Sequence, residues 1–231
     1  MSERLTIPAR FCGPPSSGNG GYVAGRLAAL VGGEAEVTIR RPVPVDRALL
    51  LHRVDDRVEL RDGDAVLASA TPARVDVEPP TPVDLEQARI ASSAFPRFHD
   101  HPLPGCFACG TARDDGLRIF PGPVRGRNGL WAAPWTPSVD LAAAAGVVPP
   151  EITWAALDCI GAFAMNEPPR GLALLGRIAA RIVAPVRAGD PHVVAAWPLA
   201  VDGRKLQPGT AIFSRTGALR AIARATWILT T

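Results

Sequence analysis

The sequence predicts an α+β fold built from two equivalent halves, each with one apolar helix followed by antiparallel strands. Three observations support this prediction: the order of helix and strand patterns repeats, matching motifs occupy the same place in each half, and turn signals join neighbouring strands. With 231 residues, of which 47% are hydrophobic, the chain is long enough for one large domain or two small ones.

The element order is the same in both halves. In the first half, Asn19-Gly20-Gly21 opens a helix over residues 22–31, and the strand patterns that follow cover residues 35–45, 48–60 and 65–77. In the second half, Glu151-Ile152 opens a helix over residues 154–165, and the strand patterns cover residues 174–186, 192–201, 210–213 and 218–229.

Two motif pairs suggest that a whole domain was duplicated. Residues 41–46 resemble residues 184–190, and residues 65–70 resemble residues 218–223. Chance similarity between strands rich in Ala, Val and Arg is the alternative. The prolines of residues 78–82 favour an extended connection, so the predicted units are residues 1–78, a linker over 79–102 that includes a short helix over 83–92, and residues 103–231.

The two helices are apolar on nearly all sides, which is typical of a helix enclosed by a sheet. Alternation over residues 36–40 and 177–182 indicates strands, and Asp62-Gly63 and Thr216-Gly217 indicate hairpin turns. A buried helix inside a curled antiparallel sheet is the arrangement of the hotdog fold. We therefore expect a tandem hotdog, with two curled antiparallel sheets that each wrap a central helix.

Composition excludes several classes of protein. The net charge of +3 is spread along the chain without a basic run, so no nucleic-acid partner is expected and the arginines suit a small anionic ligand. No segment is long and apolar enough to span a membrane, and the start resembles no signal peptide. Four scattered cysteines indicate reduced thiols, so we expect a cytoplasmic protein, and the Arg-rich, Ala-rich composition suggests a bacterial source.

Three motifs resemble a known superfamily, the double-hotdog acyl-CoA thioesterases, including the acyl-CoA thioesterase II type and, half by half, the phenylacetate-pathway thioesterases. Gly13-Pro14-Pro15 with residues 18–24 resembles the glycine-bearing loop and helix start of the N-terminal hotdog. Residues 106–110 with 115–118 resemble the opening strand of single-hotdog thioesterases, and residues 154–158 resemble the helix with the acidic residue. The resemblance implies that substrate binds where the two helices meet.

Thioester hydrolysis requires a donor for the developing oxyanion and a carboxylate for water. Gly20 and Gly21 offer backbone N–H groups at a helix N-terminus, and Asn19 either caps this helix or donates its amide to the carbonyl. Asp158, in an otherwise apolar helix, is the candidate base, and a structural aspartate is the alternative. The resemblance implies one intact site that combines Asn19, Gly20 and Gly21 with Asp158.

Substrate-binding candidates are Arg26, Arg177 and Arg181, which suit the phosphates of CoA, together with Tyr22 and Trp154 near the helix starts. The alternative for each arginine is a solvated face, and the alternative for Trp154 is the core. No cofactor is expected.

Cys106 and Cys109 form a CxxC motif, and His99 and His101 complete four formal zinc ligands. The intervals are unlike those of common zinc sites, so we expect a buried strand with small thiols and no metal. A nucleophilic Cys12 or Cys159 would require a nearby histidine, and buried cysteine is the simpler interpretation.

The sequence thus predicts hydrolysis of an acyl-CoA or other acyl thioester. A non-catalytic protein that binds acyl thioesters or lipids on the same fold is the alternative, and a structural module is the third hypothesis. Exposed sheet edges favour association into homo-oligomers.

Overall fold

The computed structural model describes residues 3–230. Its helices are α1 (Gly20–Val31), α2 (Leu85–Ser93), α3 (Pro150–Ala156) and α4 (Cys159–Met165). Its strands are β1 (Arg4–Leu5), β2 (Ala35–Ile39), β3 (Leu49–Val54), β4 (Arg57–Asp62), β5 (Ala65–Pro72), β6 (Gly122–Pro123), β7 (Trp131–Trp135), β8 (Ala173–Ile182), β9 (His192–Asp202), β10 (Lys205–Ser214) and β11 (Leu219–Leu229).

Within residues 3–230 the strands form one antiparallel sheet in the order β1-β3-β4-β5-β2-β8-β11-β10-β9-β7-β6. The first five belong to the first half of the chain and the other six to the second half. The two halves join where β2 pairs with β8, with Ala35 opposite Ala180 and Val37 opposite Ile178. The sheet is therefore continuous across the halves, whereas the sequence predicted two sheets, because β2 and β8 are each left with an unpaired edge that the other satisfies.

Three helices, α1, α3 and α4, lie on the same side of the sheet. α1 packs on β2, β4, β5 and β8, α4 packs on β7, β9 and β10, and α3 packs against α1. One hydrophobic core fills the space between these helices and the sheet. The two helical units therefore meet near the middle of the sheet, above the β2–β8 junction.

The segment predicted as a linker contains α2, which begins at a capping box. The Asp84 side chain accepts the Gln87 N–H, and the Gln87 side chain accepts the Asp84 N–H. α2 buries Ala88 and Ala91 in a second core with Val193 of β9, on the face opposite to α4. Alternate β9 residues thus face two different cores, as the two-residue period of a strand requires.

Several elements differ from the sequence prediction. The pattern over residues 48–60 is two strands, separated by a turn in which Asp55 has φ of 53°. The helix predicted over residues 154–165 is divided into α3 and α4, and β1, β6 and β7 were not predicted. The hairpin turns at Asp62-Gly63 and Thr216-Gly217 lie where the sequence indicated them. Among the described residues, no helix has the length and apolar character needed to cross a membrane.

Candidate functional site

The candidate site lies where α1 and α3 touch. A Cβ on Gly21 would lie 2.5 Å from the Trp154 carbonyl oxygen, and a Cβ on Gly25 would lie 2.5 Å from the Glu151 Cα. The two glycines, one turn apart, therefore allow direct contact between the helix backbones. Because Gly21 faces Trp154 while Gly25 faces Glu151, the helices run antiparallel, and the start of α1 meets the end of α3.

Asn19 is the N-cap of α1. Its Oδ1 accepts the Tyr22 N–H at 2.9 Å, and its Nδ2 donates to Asp158 Oδ2 at 2.9 Å. The sequence predicted that Asn19 would either cap the helix or donate to a substrate carbonyl. The side chain caps and donates at once, and the acceptor of its amide is the carboxylate of the other half.

Asp158 lies in a break between α3 and α4 and not inside one helix, as the sequence predicted. The Asp158 N–H donates to the Ala155 carbonyl at 3.3 Å, and the Gly161 N–H donates to the Asp158 carbonyl at 3.2 Å. These bonds span three residues where an α-helix spans four, so the chain tightens at this point. The break turns the Asp158 side chain toward the N-terminus of α1, which supplies its hydrogen-bond donors.

The Asp158 carboxylate is 1% exposed and is held by the first half of the chain. Oδ2 accepts the Gly21 N–H at 2.9 Å in addition to the Asn19 amide. Oδ1 is buried and has no hydrogen-bond partner among residues 3–230. One carboxylate oxygen is thus fixed by two donors, while the other can still accept a proton.

Burial raises the pKa of Asp158 to about 7, and the hydrogen bonds from Gly21 and Asn19 oppose that rise. A carboxylate with a pKa in this range takes up a proton far more readily than an exposed aspartate does. The site therefore contains a group suited to exchange a proton at neutral pH.

Gly20 and Gly21 have different surroundings. The Gly21 N–H is occupied by Asp158, whereas the Gly20 N–H finds no acceptor within the described part of the chain. Gly20 also lines a cavity, and the positive end of the α1 dipole lies there. Of the two predicted oxyanion donors, the Gly20 N–H is the one available to a ligand.

Two cavities adjoin the site. The first, of about 240 Å³, is lined by Asn19, Gly20 and apolar residues of β2, β8 and β11. The second, of about 220 Å³, is lined by residues of the 97–109 segment and α4. Five residues line both cavities, which makes them neighbours: Leu103, Cys106, Cys159, Ala173 and Trp227.

Arg40 and Arg41 line the first cavity, and the sequence analysis did not select them. Both are exposed, and Arg40 donates to the Ser69 hydroxyl at 2.8 Å. Arg41 has no side-chain partner among residues 3–230. Arg41 belongs to the motif over residues 41–46, which served above only as evidence of duplication. The arginine was therefore visible in the sequence but was not predicted to contact a ligand.

Tyr22, Arg26 and Trp154 do not line either cavity. Tyr22 is buried and stacks on Phe11 with ring centroids 4.0 Å apart, and Trp154 is buried in the main core. Arg26 lies 4.0 Å from Glu151 and donates to the Tyr22 hydroxyl at 3.3 Å. These side chains therefore support the α1–α3 contact.

Arg177 and Arg181 point to acidic neighbours on the first half of the chain. Arg177 lies 3.4 Å from Glu36, and Arg181 lies 3.7 Å from Glu34. Neither lines either cavity. Both arginines thus form ion pairs across the junction of the half-sheets, and their contact with a substrate stays a prediction.

The CxxC motif lies in a turn, where the sequence predicted a strand. The Gly110 N–H donates to the Cys106 carbonyl at 2.8 Å, and the Phe107 N–H donates to the Cys12 carbonyl at 2.7 Å. His99, one of the formal zinc ligands, is exposed. The structure instead brings Cys159 beside Cys106, with sulfur atoms 3.7 Å apart.

Comparison with solved structures identifies the fold. A putative thioesterase II from Thermobifida fusca YX has a TM-score of 0.63 at 14% identity over 99% of this chain and 92% of that chain. A protein with hot dog fold from Alicyclobacillus acidocaldarius has a TM-score of 0.63 at 12% identity, over 99% of this chain and 92% of that chain. The acyl-CoA thioesterase II TesB2 from Mycobacterium marinum has a TM-score of 0.59 at 15% identity, over 98% of this chain and 92% of that chain.

No protein-family model matches the sequence, and no curated protein matches it. The wide structural coverage nevertheless shows that this chain has the hotdog fold and resembles thioesterase II structures over nearly its full length.

Proposed function

We propose that the protein hydrolyses an acyl-CoA or another acyl thioester at the interface of two fused hotdog units. One observation supports this most directly: the Asp158 carboxylate of the second half is held by the Gly21 N–H and the Asn19 amide of the first half, both at 2.9 Å. A buried carboxylate so oriented, beside a cavity and a helix N-terminus, has the components needed for water-dependent acyl transfer.

The double-hotdog arrangement is part of this proposal. α1 covers the first half-sheet, and α3 and α4 cover the second. Each half then provides one central helical unit, and the site forms where the units meet. Because the donors belong to the first half and the acid to the second, we infer one such site per chain.

In the proposed reaction, the Gly20 N–H donates to the thioester carbonyl and stabilises the oxyanion that forms. A water molecule attacks the carbonyl carbon, and Asp158 Oδ1 accepts its proton. The C–S bond then breaks, and the departing thiolate takes up that proton. Gly21 and Asn19 do not touch the substrate in this scheme, because their hydrogen bonds position Asp158.

The two cavities suit the remainder of the substrate. Their linings are mainly apolar and can receive a hydrophobic acyl group. Arg40 and Arg41 place positive charge at the first cavity, where phosphates of CoA would be attracted.

Cytoplasmic location and assembly into homo-oligomers stay predictions from the sequence.

A non-catalytic acyl-thioester or lipid-binding protein is the second candidate, and one observation favours it. Asp158 does not line either cavity, whereas its neighbours Asn19 and Cys159 do. A thioester could therefore occupy the first cavity without a water molecule reaching Asp158. In that case the carboxylate would serve only to join α1 to the second half.

The experiment that separates the two candidates measures CoA release from short, medium, long and aromatic acyl-CoAs. We expect turnover in the wild type and a loss of about 10²- to 10⁴-fold in kcat for Asp158→Asn, while acyl-CoA still raises the melting temperature of the variant. Asp202→Asn, in the exposed β9–β10 hairpin, is the matched control and should keep full activity. Stabilisation by acyl-CoA without any turnover in the wild type would favour the binding protein.

A further inference from the structure

Three cysteines from two distant segments converge beside the candidate site. Cys106 and Cys109 come from the turn after Leu103, and Cys159 is the first residue of α4. The three sulfur atoms lie within 4.8 Å of one another. Cys12, the fourth cysteine, is not a member of this cluster.

The spacing of the sulfurs matches a metal-binding arrangement. A tetrahedral zinc–thiolate site has Zn–S bonds of about 2.3 Å, which places neighbouring sulfurs about 3.8 Å apart. The Cys106 and Cys159 sulfurs are 3.7 Å apart. All three sulfur–sulfur distances are at most 4.8 Å. A shift of the Cys109 sulfur by about 1 Å or less would therefore let one ion contact all three sulfurs.

The backbone holds the cluster in place. A Cβ on Gly110 would lie 2.5 Å from the carbonyl oxygens of Cys106 and Pro104, so the CxxC turn is closely packed on itself. Cys159 directly follows Asp158, the residue at which α3 and α4 are interrupted. The hydrogen bond from the Gly21 N–H to Asp158 holds the start of α4 against α1. The packed CxxC turn and the start of α4 thus bring the sulfurs together without a metal ion. Metal binding would therefore cost little conformational entropy.

One amide donor faces the buried sulfurs. Cys106 and Cys109 are buried, and Asn19 Nδ2 lies 3.8 Å from the sulfurs of Cys106 and Cys159. An amide N–H directed at a sulfur is the kind of outer contact that stabilises a metal-bound thiolate. The same amide also contacts Asp158, so the cluster and the carboxylate share one donor.

We propose that Cys106, Cys109 and Cys159 form a binding site for a thiophilic divalent cation, for which zinc is the representative ion. Three thiolates are a soft ligand set that favours zinc over magnesium or calcium. The fourth position falls to water, because Asp158 Oδ2, 3.9 Å from the Cys159 sulfur, already accepts the Gly21 N–H and the Asn19 amide.

His101 does not supply the fourth ligand in this proposal, although it lines the second cavity with the three cysteines. Its Nδ1 accepts the Leu103 N–H at 3.0 Å, so the neutral ring carries its proton on Nε2. Binding a metal through Nε2 would displace that proton and break the bond to Leu103. In sequence this histidine is the nearer candidate ligand, whereas Cys159 approaches the CxxC motif only in the folded chain.

The test uses the reduced full-length protein and does not depend on catalytic activity. We expect one equivalent of Cd²⁺ per chain to produce an ultraviolet thiolate-to-metal absorption band, and Zn²⁺ added in equal amount to compete for the same site. Cys109→Ser and Cys159→Ser should each weaken Zn²⁺ binding at least tenfold. Cys12→Ser, which alters the cysteine outside the cluster, should bind as the wild type does.

A second measurement on the wild type guards against variants that fail to fold. X-ray absorption at the zinc edge of the loaded protein should show about three sulfur neighbours at about 2.3 Å. A shell of oxygen and nitrogen alone would overturn the proposal. So would the absence of a thiolate band with stoichiometric Cd²⁺, or an equal loss of binding in Cys12→Ser.

Discussion

Replacing Gly21 with alanine tests whether the α1–α3 contact holds the candidate site together. The new Cβ would lie 2.5 Å from the Trp154 carbonyl oxygen, 2.7 Å from the Asp158 Cβ and 2.9 Å from the Ala155 Cα. Two of these atoms belong to the backbone of α3 and cannot turn away as the end of a flexible side chain can. The helices must therefore separate, and the hydrogen bond from the Gly21 N–H to Asp158 must lengthen.

The expected cost is the sum of two losses minus one gain. Overpacking costs about 1–3 kcal/mol, and loss of a hydrogen bond to a charged group costs about 1.5–3 kcal/mol. Alanine favours a helix over glycine by about 1 kcal/mol, which is the smaller effect. We expect the variant to be less stable by about 1.5–5 kcal/mol, which corresponds to a fall in melting temperature of about 3–20 °C for a chain of this size.

Urea denaturation and thermal unfolding of Gly21→Ala measure this cost. Gly105→Ala is the matched control, because a Cβ at Gly105 would meet no atom within 4 Å. The control should remain within about 0.5 kcal/mol of the wild type. If both variants prove equally stable, the close approach of α1 and α3 at Gly21 is not as described, and the positioning of Asp158 by Gly21 is refuted with it.

Two other predictions concern charge. Arg41→Ala should raise KM for acyl-CoA about fivefold, or about 1 kcal/mol, and leave KM for an acyl-pantetheine without phosphates unchanged. The control is Arg177→Ala, which alters an arginine that pairs with Glu36 and does not line the cavity. An equal effect of both variants would contradict the assignment of Arg41 to the phosphates. Burial lowers the pKa of His192 below 6.5, so this histidine binds fewer protons in the folded state, and its contribution to the free energy of unfolding should fall as pH drops below about 6.5, by at most about 1.4 kcal/mol per pH unit. Asp158, whose pKa is raised by burial, contributes in the opposite direction in both proteins. In urea titrations the stability of His192→Gln relative to the wild type should therefore rise between pH 8 and pH 5, and a constant difference would contradict the assignment to His192.

The sequence predicted α1 closely because its signals are local. Asn19 is a strong N-cap, the apolar run follows at once, and Gly32 ends the helix with φ of 82°. The hairpin turns were likewise predictable from Asp62-Gly63 and Thr216-Gly217. The turn at Asp55-Asp56 was missed because the residues on both sides continue a strand pattern, and a left-handed aspartate is a weaker signal than glycine.

The site was predictable only in part. The resemblance to hotdog thioesterases grouped Asn19, Gly20 and Gly21 with Asp158. The structure places the groups of Asn19, Gly21 and Asp158 within hydrogen-bond distance. Their catalytic role stays a prediction. No pattern along the chain could show that the Gly21 N–H binds Asp158 while the Gly20 N–H stays free for a ligand. That difference depends on the interruption between α3 and α4, which orients the Asp158 side chain.

The cysteine cluster shows the limit of motif reasoning. The CxxC pair was visible, but Cys159 lies 53 residues after Cys106 and is adjacent only because α4 begins there. Histidines nearby in sequence were therefore considered as ligands, while the third sulfur was not. The ion pairs of the arginines on β8 were hidden for a related reason, because their acidic partners Glu34 and Glu36 belong to the other half of the chain.

The ladder between β2 and β8 has a consequence for how this molecule could diverge. In a dimer of separate identical chains, symmetry would oblige both copies of a site to carry the same residues. Here the two halves are tethered, so their association is intramolecular and persists at any protein concentration. Small residues such as Ala35 and Ala180 are therefore enough to keep β2 and β8 paired. Either half could then lose residues that its partner retains, and a single chain could keep an acid in one half and its hydrogen-bond donors in the other.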